Sequence, residues 1–379
     1  MVGKPIWRGA VAPFLVGLAL AFGSSQSACA STEWDDLVKA AKAEGKVEVI
    51  LSGQVPHLLR KAMPEFEKKY GIQVNFQTGA GSQHASRILA ERRAGRFTVD
   101  VWMGGVNPPL TQFYPIKALD RIDQLLIDPA VTNQALWYKG THHYADPEGR
   151  YILSWGAAPA NVISYNTNLV KPEEIKSYAD LLDPKWKGKI VTWSPAVPGA
   201  SGSSISMFLN PKVGEEWFRR WSKMDLTIVT DARQGAEWVA LGRFSIGMFG
   251  LNTQAQLLAD QGFPIRNYLP HALAEGETLG SSAANIMVMS NAPNPNARKL
   301  FVNWALTQET QAMFVRTAER MDSLRNDVPN DMLEPQYRID HDQEYFANFS
   351  RTRPEYADSA RQAEIMKKMR QIMQEAGIK

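Results

Sequence analysis

The sequence predicts an α/β protein made of two lobes, each with a mostly parallel sheet flanked by helices. Short apolar runs rich in Val and Ile alternate with longer stretches of helical period, the pattern of strand–helix–strand units. Loops rich in glycine and serine follow several of these strands. A leader of 30 residues leaves 349 of the 379 residues, a length that suits two domains better than one.

The first 30 residues have the pattern of a secretory signal peptide. Lys4 and Arg8 flank the start of an apolar stretch at 10–22, which is shorter than the ~20 residues of a membrane-spanning helix. An Ala-Cys-Ala cleavage site stands directly before Ser31. We therefore expect a mature chain that begins at Ser31 and lies in the periplasm.

Cys29, within that cleavage site, is the only cysteine of the chain. Its lipidation is the weaker alternative to simple cleavage, because Gln26 stands where a lipoprotein signal has an aliphatic residue. An uncleaved membrane anchor is the third alternative. Once the leader is removed, no cysteine remains for a disulfide, so stability has to come from a buried core.

The charge balance argues against a nucleic acid as partner. The chain has 42 basic and 39 acidic residues, a net charge of +3. Removal of Lys4 and Arg8 with the leader lowers the net charge to +1. Proteins that bind nucleic acids usually carry a concentrated basic face, which such a balance does not favour.

In the first lobe, three strands alternate with three helices. The apolar runs predict strands over 47–51, 72–76 and 99–103, and the helical periods predict helices over 34–44, 56–70 and 82–93. Pro64 is expected to kink or break the second helix. Strand–helix–strand units joined by short loops form parallel sheets with right-handed crossovers.

Glycine and serine occupy the loops after all three of these strands. Ligands of open parallel sheets bind beyond the carboxyl ends of the strands. We therefore expect one wall of a ligand cleft from the residues of these loops, which are Ser52, Gly53, Gly81, Ser82, Gly104 and Gly105. For each glycine taken alone, the alternative is a tight turn without contact to a ligand.

The second lobe is predicted between two crossings of the chain. We interpret Val162–Tyr165 as the first crossing and 278–289 as the return. Strands are expected over 190–193, 227–230 and 244–249. The first lobe then comprises 31–164 plus 276–379, with the C-terminal helices docked on it, and the second lobe comprises 165–275.

Polar residues after the second-lobe strands form the other predicted wall. Ser201, Gly202 and Ser203 open a helix, whose free N–H groups and dipole attract an anion. Arg233 follows the next strand and has the fork geometry for a carboxylate or phosphate. The alternatives are ordinary helix capping for the serines and a surface ion pair for Arg233.

Three further residues complete the predicted site. Asn252 and Thr253 follow the third strand of the second lobe and can add neutral hydrogen bonds. Trp155 can stack on a planar ligand, or instead pack in the core as most tryptophans do. Together with the serines and Arg233, these residues favour a small anionic organic ligand.

Motifs for catalysis or metal binding are incomplete. The stretch 79–84 begins like a dinucleotide fingerprint but has a histidine in place of the third glycine. The stretch 199–203 resembles a nucleophile elbow but lacks its final glycine. His142, His143 and Asp146 do not have metal-ligand spacing, and we expect them in a surface turn. No cofactor and no metal are therefore predicted.

Residues 180–190, with the sequence DLLDPKWKGKI, are the most specific stretch of the chain. They resemble a signature of bacterial extracellular solute-binding proteins of family 1, the receptors of ABC importers, in the iron(III)- and thiamine-type branch. Three other stretches, 87–102, 165–175 and 291–314, resemble the same group and occur in the same order. The resemblance covers most of residues 34–325.

This resemblance implies a class II periplasmic binding fold, in which the ligand is held between two lobes that close by hinge bending. It also implies a receptor that binds its solute without chemistry, and therefore no enzyme. The implied partners are a small-molecule solute and an ABC permease of the inner membrane, and we expect a monomer. A periplasmic enzyme and the sensory input of a signalling system are the rival hypotheses.

The same family provides a test for iron. Its iron(III)-binding members use adjacent tyrosines just after a second-lobe strand, where this chain has Gly-Leu-Asn-Thr at 250–253. They also use an acidic residue after the third strand of the first lobe, where this chain has Gly104 and Gly105. We therefore expect a receptor for an anionic organic solute, with a ferric-ion or iron-complex receptor as the alternative.

Overall fold

The computed structural model describes residues 24–53, 59–159, 162–194, 201–268, 273–276, 278–281, 283–318, 320–343, 345–347 and 359–378. Within these residues, a seven-stranded sheet and a five-stranded sheet each pack against their own helices. A small four-stranded sheet contains the two strands that connect these units. We refer to the two units as the first and the second lobe.

The helices are short to medium in length. In chain order they are α1 (Ser24–Glu44), α2 (Met63–Tyr70), α3 (Gly81–Arg93), α4 (Pro129–Thr132), α5 (Ser201–Leu209), α6 (Gly214–Trp221), α7 (Ala232–Ala240), α8 (Asn252–Asp260), α9 (Pro295–Ala305), α10 (Gln308–Ala318) and α11 (Ser359–Glu375).

The strands are two to seven residues long. In chain order they are β1 (Lys46–Ser52), β2 (Gln73–Gly79), β3 (Val101–Gly104), β4 (Leu119–Asp120), β5 (His143–Tyr144), β6 (Leu153–Ser154), β7 (Gly156–Pro159), β8 (Ile163–Asn166), β9 (Ile190–Trp193), β10 (Thr227–Val229), β11 (Ile246–Met248), β12 (Ile265–Asn267), β13 (Thr278–Gly280), β14 (Asn285–Met289), β15 (Asp322–Ser323) and β16 (Phe346–Ala347).

The first-lobe sheet has the strand order β2-β1-β3-β14-β6-β5, with β4 paired to β14. β1 runs parallel to both β2 and β3, so that Val49 pairs with Phe76 on one side and with Val101 on the other. The three predicted parallel strands are therefore confirmed. β14 joins the sheet antiparallel to β3, after the chain has returned from the second lobe.

The predicted helix over 56–70 is broken just before Pro64, one of the two predicted effects of this proline. A 3₁₀ turn at Arg60–Ala62 precedes α2, and Pro64 occupies the first turn of α2. Proline is favoured there, because the N–H group that it lacks has no partner within the helix. Gly71 ends α2 in the left-handed conformation, with φ of 69°.

The second-lobe sheet has the order β10-β9-β11-β8-β12. β9 is parallel to β10 and β11, as the three predicted strands require. The interpretation of Val162–Tyr165 as the crossing is wrong, because Ile163–Asn166 forms β8, antiparallel to β11 and β12. Its residues are buried and belong to the second lobe.

The small sheet has the order β15-β7-β13-β16 and contains both connections between the lobes. β7 takes the chain out of the first lobe, and β13 brings it back, with Leu279 opposite Pro159. Gly156 packs tightly at this point, because a Cβ atom there would lie 2.6 Å from the carbonyl oxygen of Asp322. Close by, Arg320 Nη2 lies 3.3 Å from Asp260 Oδ2 of the second lobe, in an exposed ion pair.

Two carboxylates hold the start of α9, where the chain re-enters the first lobe. Asp100 is fully buried and accepts hydrogen bonds from the Glu48 N–H at 2.7 Å and from the Asn294 N–H and Nδ2, both at 2.8 Å. Glu44, at the end of α1, accepts from the N–H and the Nδ2 of Asn296 at 3.0 and 2.7 Å. Both carboxylates sit at the positive end of α9, where negative charge is stabilised.

The last helix does not pack on the first lobe, so the assignment of all of 276–379 to that lobe is wrong. One face of α11 is buried against α5 and α6 of the second lobe. Ile365 and Met369 lie in the same apolar cluster as Trp217 and Trp221. The helical period identified the apolar face of α11 but not the surface that it covers. The other predicted boundaries stay predictions.

The leader lies mostly outside the described residues, which begin at Ser24. α1 runs without interruption from Ser24 through the predicted cleavage site to Glu44. In the described part of the chain, no helix combines the length and the apolar character needed to span a membrane.

Replacement of Asp100 by Asn tests the contact that holds α9. An amide presents one acceptor and one donor, so at least one of the three N–H donors around Asp100 loses its partner. We expect Asp100→Asn to lower the free energy of unfolding by about 1–3 kcal/mol, measured by urea denaturation. Asp35→Asn, on an exposed part of α1, is the control and should change stability by less than about 0.5 kcal/mol. Equal urea midpoints for Asp100→Asn and Asp35→Asn would contradict the role of Asp100 in holding the start of α9.

Truncation of Met369 tests the packing of α11 on the second lobe. Met369 is fully buried, whereas Met332 is 44% exposed. We expect Met369→Ala to cost about 2–5 kcal/mol and Met332→Ala to cost little. Hydrogen exchange should accelerate in α5 and α6 of Met369→Ala before it changes in β1–β3. Faster exchange in the first-lobe strands alone would contradict this packing and show that α11 supports the first lobe.

Candidate ligand-binding site

The carboxyl ends of the first-lobe strands bring the predicted glycine loops together. Ser52, the last residue of β1, is in register with Gly79 of β2 and with Gly104 of β3. The Gly53 N–H donates to the Gly79 carbonyl at 3.1 Å, which ties the first two loops to each other. The loops that carry Gly53, Gly81 and Gly105 therefore start at one edge of the sheet.

Two of these glycines are required by close packing around Ser52. A Cβ atom at Gly81 would lie 2.7 Å from Ser52 Oγ, and one at Gly104 would lie 2.4 Å from the Ser52 carbonyl oxygen. Gly104 also has φ of 150°. Ser52 is only 4% exposed, so its hydroxyl lies behind Gly81. A Cβ atom at Gly53 or Gly105 would meet nothing within 4 Å.

The N-terminus of α3 lies at this edge and keeps its first donors. The preceding Ala80 provides no side-chain cap, and the first turn contains no acidic residue. The N–H groups of Gln83 and His84 bond to the Ala80 carbonyl, whereas Gly81 and Ser82 precede the first intrahelical bonds. Ser82, predicted in the cleft wall, is the second residue of α3 and is exposed. This geometry offers free N–H groups to an anion.

His84 lies in the same turn, and sequence reasoning did not identify it as part of the site. Its ring is edge-on to Trp102, with centroids 6.3 Å apart, and Nε2 lies 3.0 Å from the position of a Cβ atom at Gly79. Burial, followed by the charge of Arg87, lowers the pKa of His84. A neutral imidazole adds no charge to the α3 N-terminus. The sequence offered one indication of this position: in the dinucleotide-like stretch 79–84, His84 stands where the third glycine of the fingerprint belongs.

In the second lobe, three helices begin after the carboxyl ends of the parallel strands β9, β10 and β11. α5 begins at Ser201, so Ser201, Gly202 and Ser203 form its first turn as predicted, although their side chains lie outside the described set. Ser204 is fully buried.

Arg233 lies in the first turn of α7 rather than in a loop. Its Nε donates to Glu237 Oε1 at 2.8 Å, an i,i+4 pair in which the arginine side chain is 76% exposed. The hydrogen bond to Glu237 raises the pKa of Arg233. Asp231 caps α7 by accepting from the N–H groups of Arg233 and Gln234. The N-terminus of α7 thus already holds a carboxylate of the protein.

Asn252 and Thr253 form the first turn of α8, after two residues of positive φ at Phe249 and Gly250. The preceding Leu251 is buried and provides no side-chain cap, and the first turn has no acidic residue. The Asn252 carbonyl accepts from Asn267 of β12, and Thr253 is exposed. α8 therefore has an open N-terminus in the second lobe, as α3 has in the first.

Trp155 does not contact the cleft, so the predicted stacking on a ligand is wrong. Its side chain is 1% exposed and packs against Phe314 with ring centroids 5.3 Å apart. Its backbone N–H bonds to Ala284 at 2.9 Å, and its carbonyl accepts from Leu324. Trp155 therefore packs in the core, which was the alternative to stacking on a ligand.

The prediction of a surface turn for His142, His143 and Asp146 is also wrong, because all three are buried. Each imidazole Nε2 lies 2.9 Å from a main-chain carbonyl, and Asp146 accepts N–H groups of the turn that follows. Among the described residues, no group of three or more His, Cys, Asp or Glu is arranged to hold a metal ion.

Comparison with known proteins identifies the architecture. The chain is similar to the Trichodesmium protein IdiA (FutA) solved with iron and citrate, with a TM-score of 0.63, 20% identity, and coverage of 88% of this chain and 100% of the other. It is also similar to AfuA from Actinobacillus pleuropneumoniae with bound fructose-6-phosphate, with a TM-score of 0.58, 19% identity, and coverage of 87% and 99%. These two-lobe periplasmic binding proteins confirm the predicted fold.

An uncharacterized protein of Haemophilus influenzae is 26% identical over 299 residues, which cover 76% of this chain and 80% of the relative. The sequence profile of the bacterial extracellular solute-binding proteins matches residues 61–331, which is more than half of the chain. The members of this family are substrate-binding proteins of transport systems and not enzymes. The chain therefore belongs to the bacterial extracellular solute-binding protein family.

Proposed function

We propose that this solute-binding protein of the ABC importer type captures a small organic anion, such as a carboxylate or a sugar phosphate, between its two lobes. The observation that carries the proposal is the pair of open helix N-termini, α3 in the first lobe and α8 in the second. Neither has a side-chain cap or an acidic residue in its first turn. Free N–H groups and the positive end of the helix dipole favour an anion.

The first turn of α7 shows what an occupied N-terminus looks like in this chain. There Asp231 already supplies the negative charge to the N–H groups of Arg233 and Gln234. Among the described residues, no carboxylate occupies the N-termini of α3 and α8, so their donors are available to a ligand. Arg233 remains a candidate contact, because an exposed i,i+4 ion pair contributes little and can be exchanged for a ligand.

An anion held by both N-termini would favour closure of the lobes. A ligand shifts a conformational equilibrium only by its differential affinity for the two states. Contacts to α3 and α8 together require both lobes and are made fully only in the closed state. We propose that the closed receptor works as a monomer in the periplasm, after removal of residues 1–30, and delivers its solute to an ABC permease of the inner membrane.

Direct binding of ferric ion is not favoured by this site. The position after β11, where the iron-binding members use tyrosines, has Leu251 buried and Asn252 at the start of α8. The relative solved with iron and citrate also contains an organic anion. A carboxylate ligand therefore agrees with the open helix N-termini without requiring metal ligands from the chain.

A negative charge at Ser82 tests whether an anion occupies the α3 N-terminus. Ser82→Asp places a carboxylate in the first turn, which the helix dipole tolerates but which repels an anionic ligand. Citrate and fructose 6-phosphate serve as probes in a thermal-shift titration, because bound ligand raises the melting temperature by mass action. We expect the affinity for the binding probe to fall by about tenfold or more.

Ser82→Asn is the matched control, because it keeps a small polar side chain without adding charge. It should retain affinity close to that of the unchanged protein, and both variants should unfold at a similar temperature without ligand. Equal affinities of Ser82→Asp and Ser82→Asn would contradict an anion at α3. Stabilisation by neutral sugars, with no response to either probe, would contradict the ligand class.

Mixing with ferric citrate tests the iron alternative. We expect no tyrosinate–iron absorbance after desalting, because residues 250–253, where the iron-binding members use tyrosines, are Gly-Leu-Asn-Thr. Visible absorbance is the measurement, with ferric citrate alone as the control. A tyrosinate-to-iron charge-transfer band in the desalted protein, distinct from the spectrum of ferric citrate, would show that the chain itself supplies ligands to iron.

A further inference from the structure

A polar cavity of about 360 Å³ lies on the first lobe, apart from the glycine loops. One of its walls includes Tyr144 of β5, the last strand of the sheet on that side. The segments around Arg121 and Thr132 also line it. Its volume falls within the range of small-molecule sites in proteins. None of the predicted ligand-binding residues lines it.

The charged groups that line this cavity leave one guanidinium unpaired. Arg121 forms a two-point contact with Asp123, with Nε–Oδ1 and Nη2–Oδ2 distances of 3.1 and 2.7 Å. Arg150 is exposed and forms no direct ion pair in the described part of the chain. The hydrogen bond from Arg121, and then the charges of Arg121 and Arg150, lower the pKa of Asp123, so Arg150 acts on the same carboxylate from a longer distance. Glu148, in the same turn, accepts a hydrogen bond from the Tyr114 hydroxyl at 2.8 Å and does not line the cavity. Counted with His142 as neutral, the lining residues Arg121, Arg150 and Asp123 give a net charge of +1.

The turn that carries Arg150 is held in place by buried hydrogen bonds. Asp146 is fully buried, and its carboxylate accepts from the N–H groups of Arg150, Tyr151 and Ile152 at 2.9–3.2 Å. The Arg150 carbonyl in turn accepts from the Ile122 N–H at 3.0 Å. The segment of Arg121 and the turn of Arg150 are thereby fixed to each other. Such preorganisation lowers the entropic cost of binding a ligand.

We infer that this cavity is a second anion-binding site, which takes a small carboxylate or phosphate independently of the cleft between the lobes. Arg150 supplies the unpaired positive charge, in the fork geometry that both anions accept. Thr132 and Gln134 line the same cavity and bring neutral hydrogen-bonding groups. The bonds of the ligand to Arg150 form without breaking the Arg121–Asp123 pair.

The test is isothermal titration of the full chain with inorganic phosphate and with succinate, at constant ionic strength. Hydrogen exchange in the presence of the binding anion locates the site. We expect slower exchange in 121–123 and 146–152. Arg150→Gln should weaken this binding by about tenfold, because a hydrogen bond to a charged group is lost.

Arg220→Gln is the matched control, since Arg220 is exposed on α6 of the second lobe. It should bind the anion as the unchanged protein does, while thermal unfolding verifies that both variants are folded. Equal affinity of Arg150→Gln and Arg220→Gln overturns the inference, as does the absence of binding by both anions. Slower exchange confined to 79–84 and 250–253 also overturns it, because the anion would then occupy only the cleft between the lobes.

Discussion

The buried carboxylate of Asp100 holds together two parts of the first lobe that are far apart in the chain. It accepts one hydrogen bond from Glu48 in β1 and two from Asn294 before α9. A buried charge is tolerated only when such bonds compensate its desolvation. At the same end of the strands, the Met289 N–H of β14 bonds to the Asp100 carbonyl at 3.0 Å, which aligns the returning chain with β3. The edge that carries Ser52 and its glycine neighbours therefore depends on a contact at the opposite end of the same strands.

The two lobes use the same strand arrangement but differ in how they satisfy their helix N-termini. In each lobe a central strand is parallel to both neighbours, and an antiparallel strand follows on one side. Helix α3 begins after β2, and α5, α7 and α8 begin after β9, β10 and β11. One residue decides the electrostatics of three of these starts: Asp231 neutralises α7, whereas Ala80 and Leu251 leave α3 and α8 open. The proposed preference for an anion rests on these preceding residues and not on the strand arrangement, which the two lobes share.

Sequence reasoning predicted what depends on local pattern and missed what depends on distant partners. The parallel strands follow from apolar runs, and the close packing at Gly81 agrees with a glycine loop. The helical spacing of apolar residues predicted an apolar face on α11. The residues that pack against Met369 lie about 150 residues earlier in the chain, and no local pattern around Met369 identifies them. Trp155 and His142 were judged by residue type, although burial decides what such side chains contact.

The segment 180–190 illustrates why a family signature and a ligand contact are different things. Asp183 caps the turn by accepting from the Lys185 N–H at 2.9 Å, and Trp186 is buried beneath it. Gly188, with φ of 71°, donates to the Met224 carbonyl. The Lys189 carbonyl accepts from the N–H groups of Ser245 and Ile246, at the start of β11. These bonds set where β9 begins and how it aligns with its neighbour. In the proposed function the solute binds at the other end of the strands, so receptors for different solutes can share this corner.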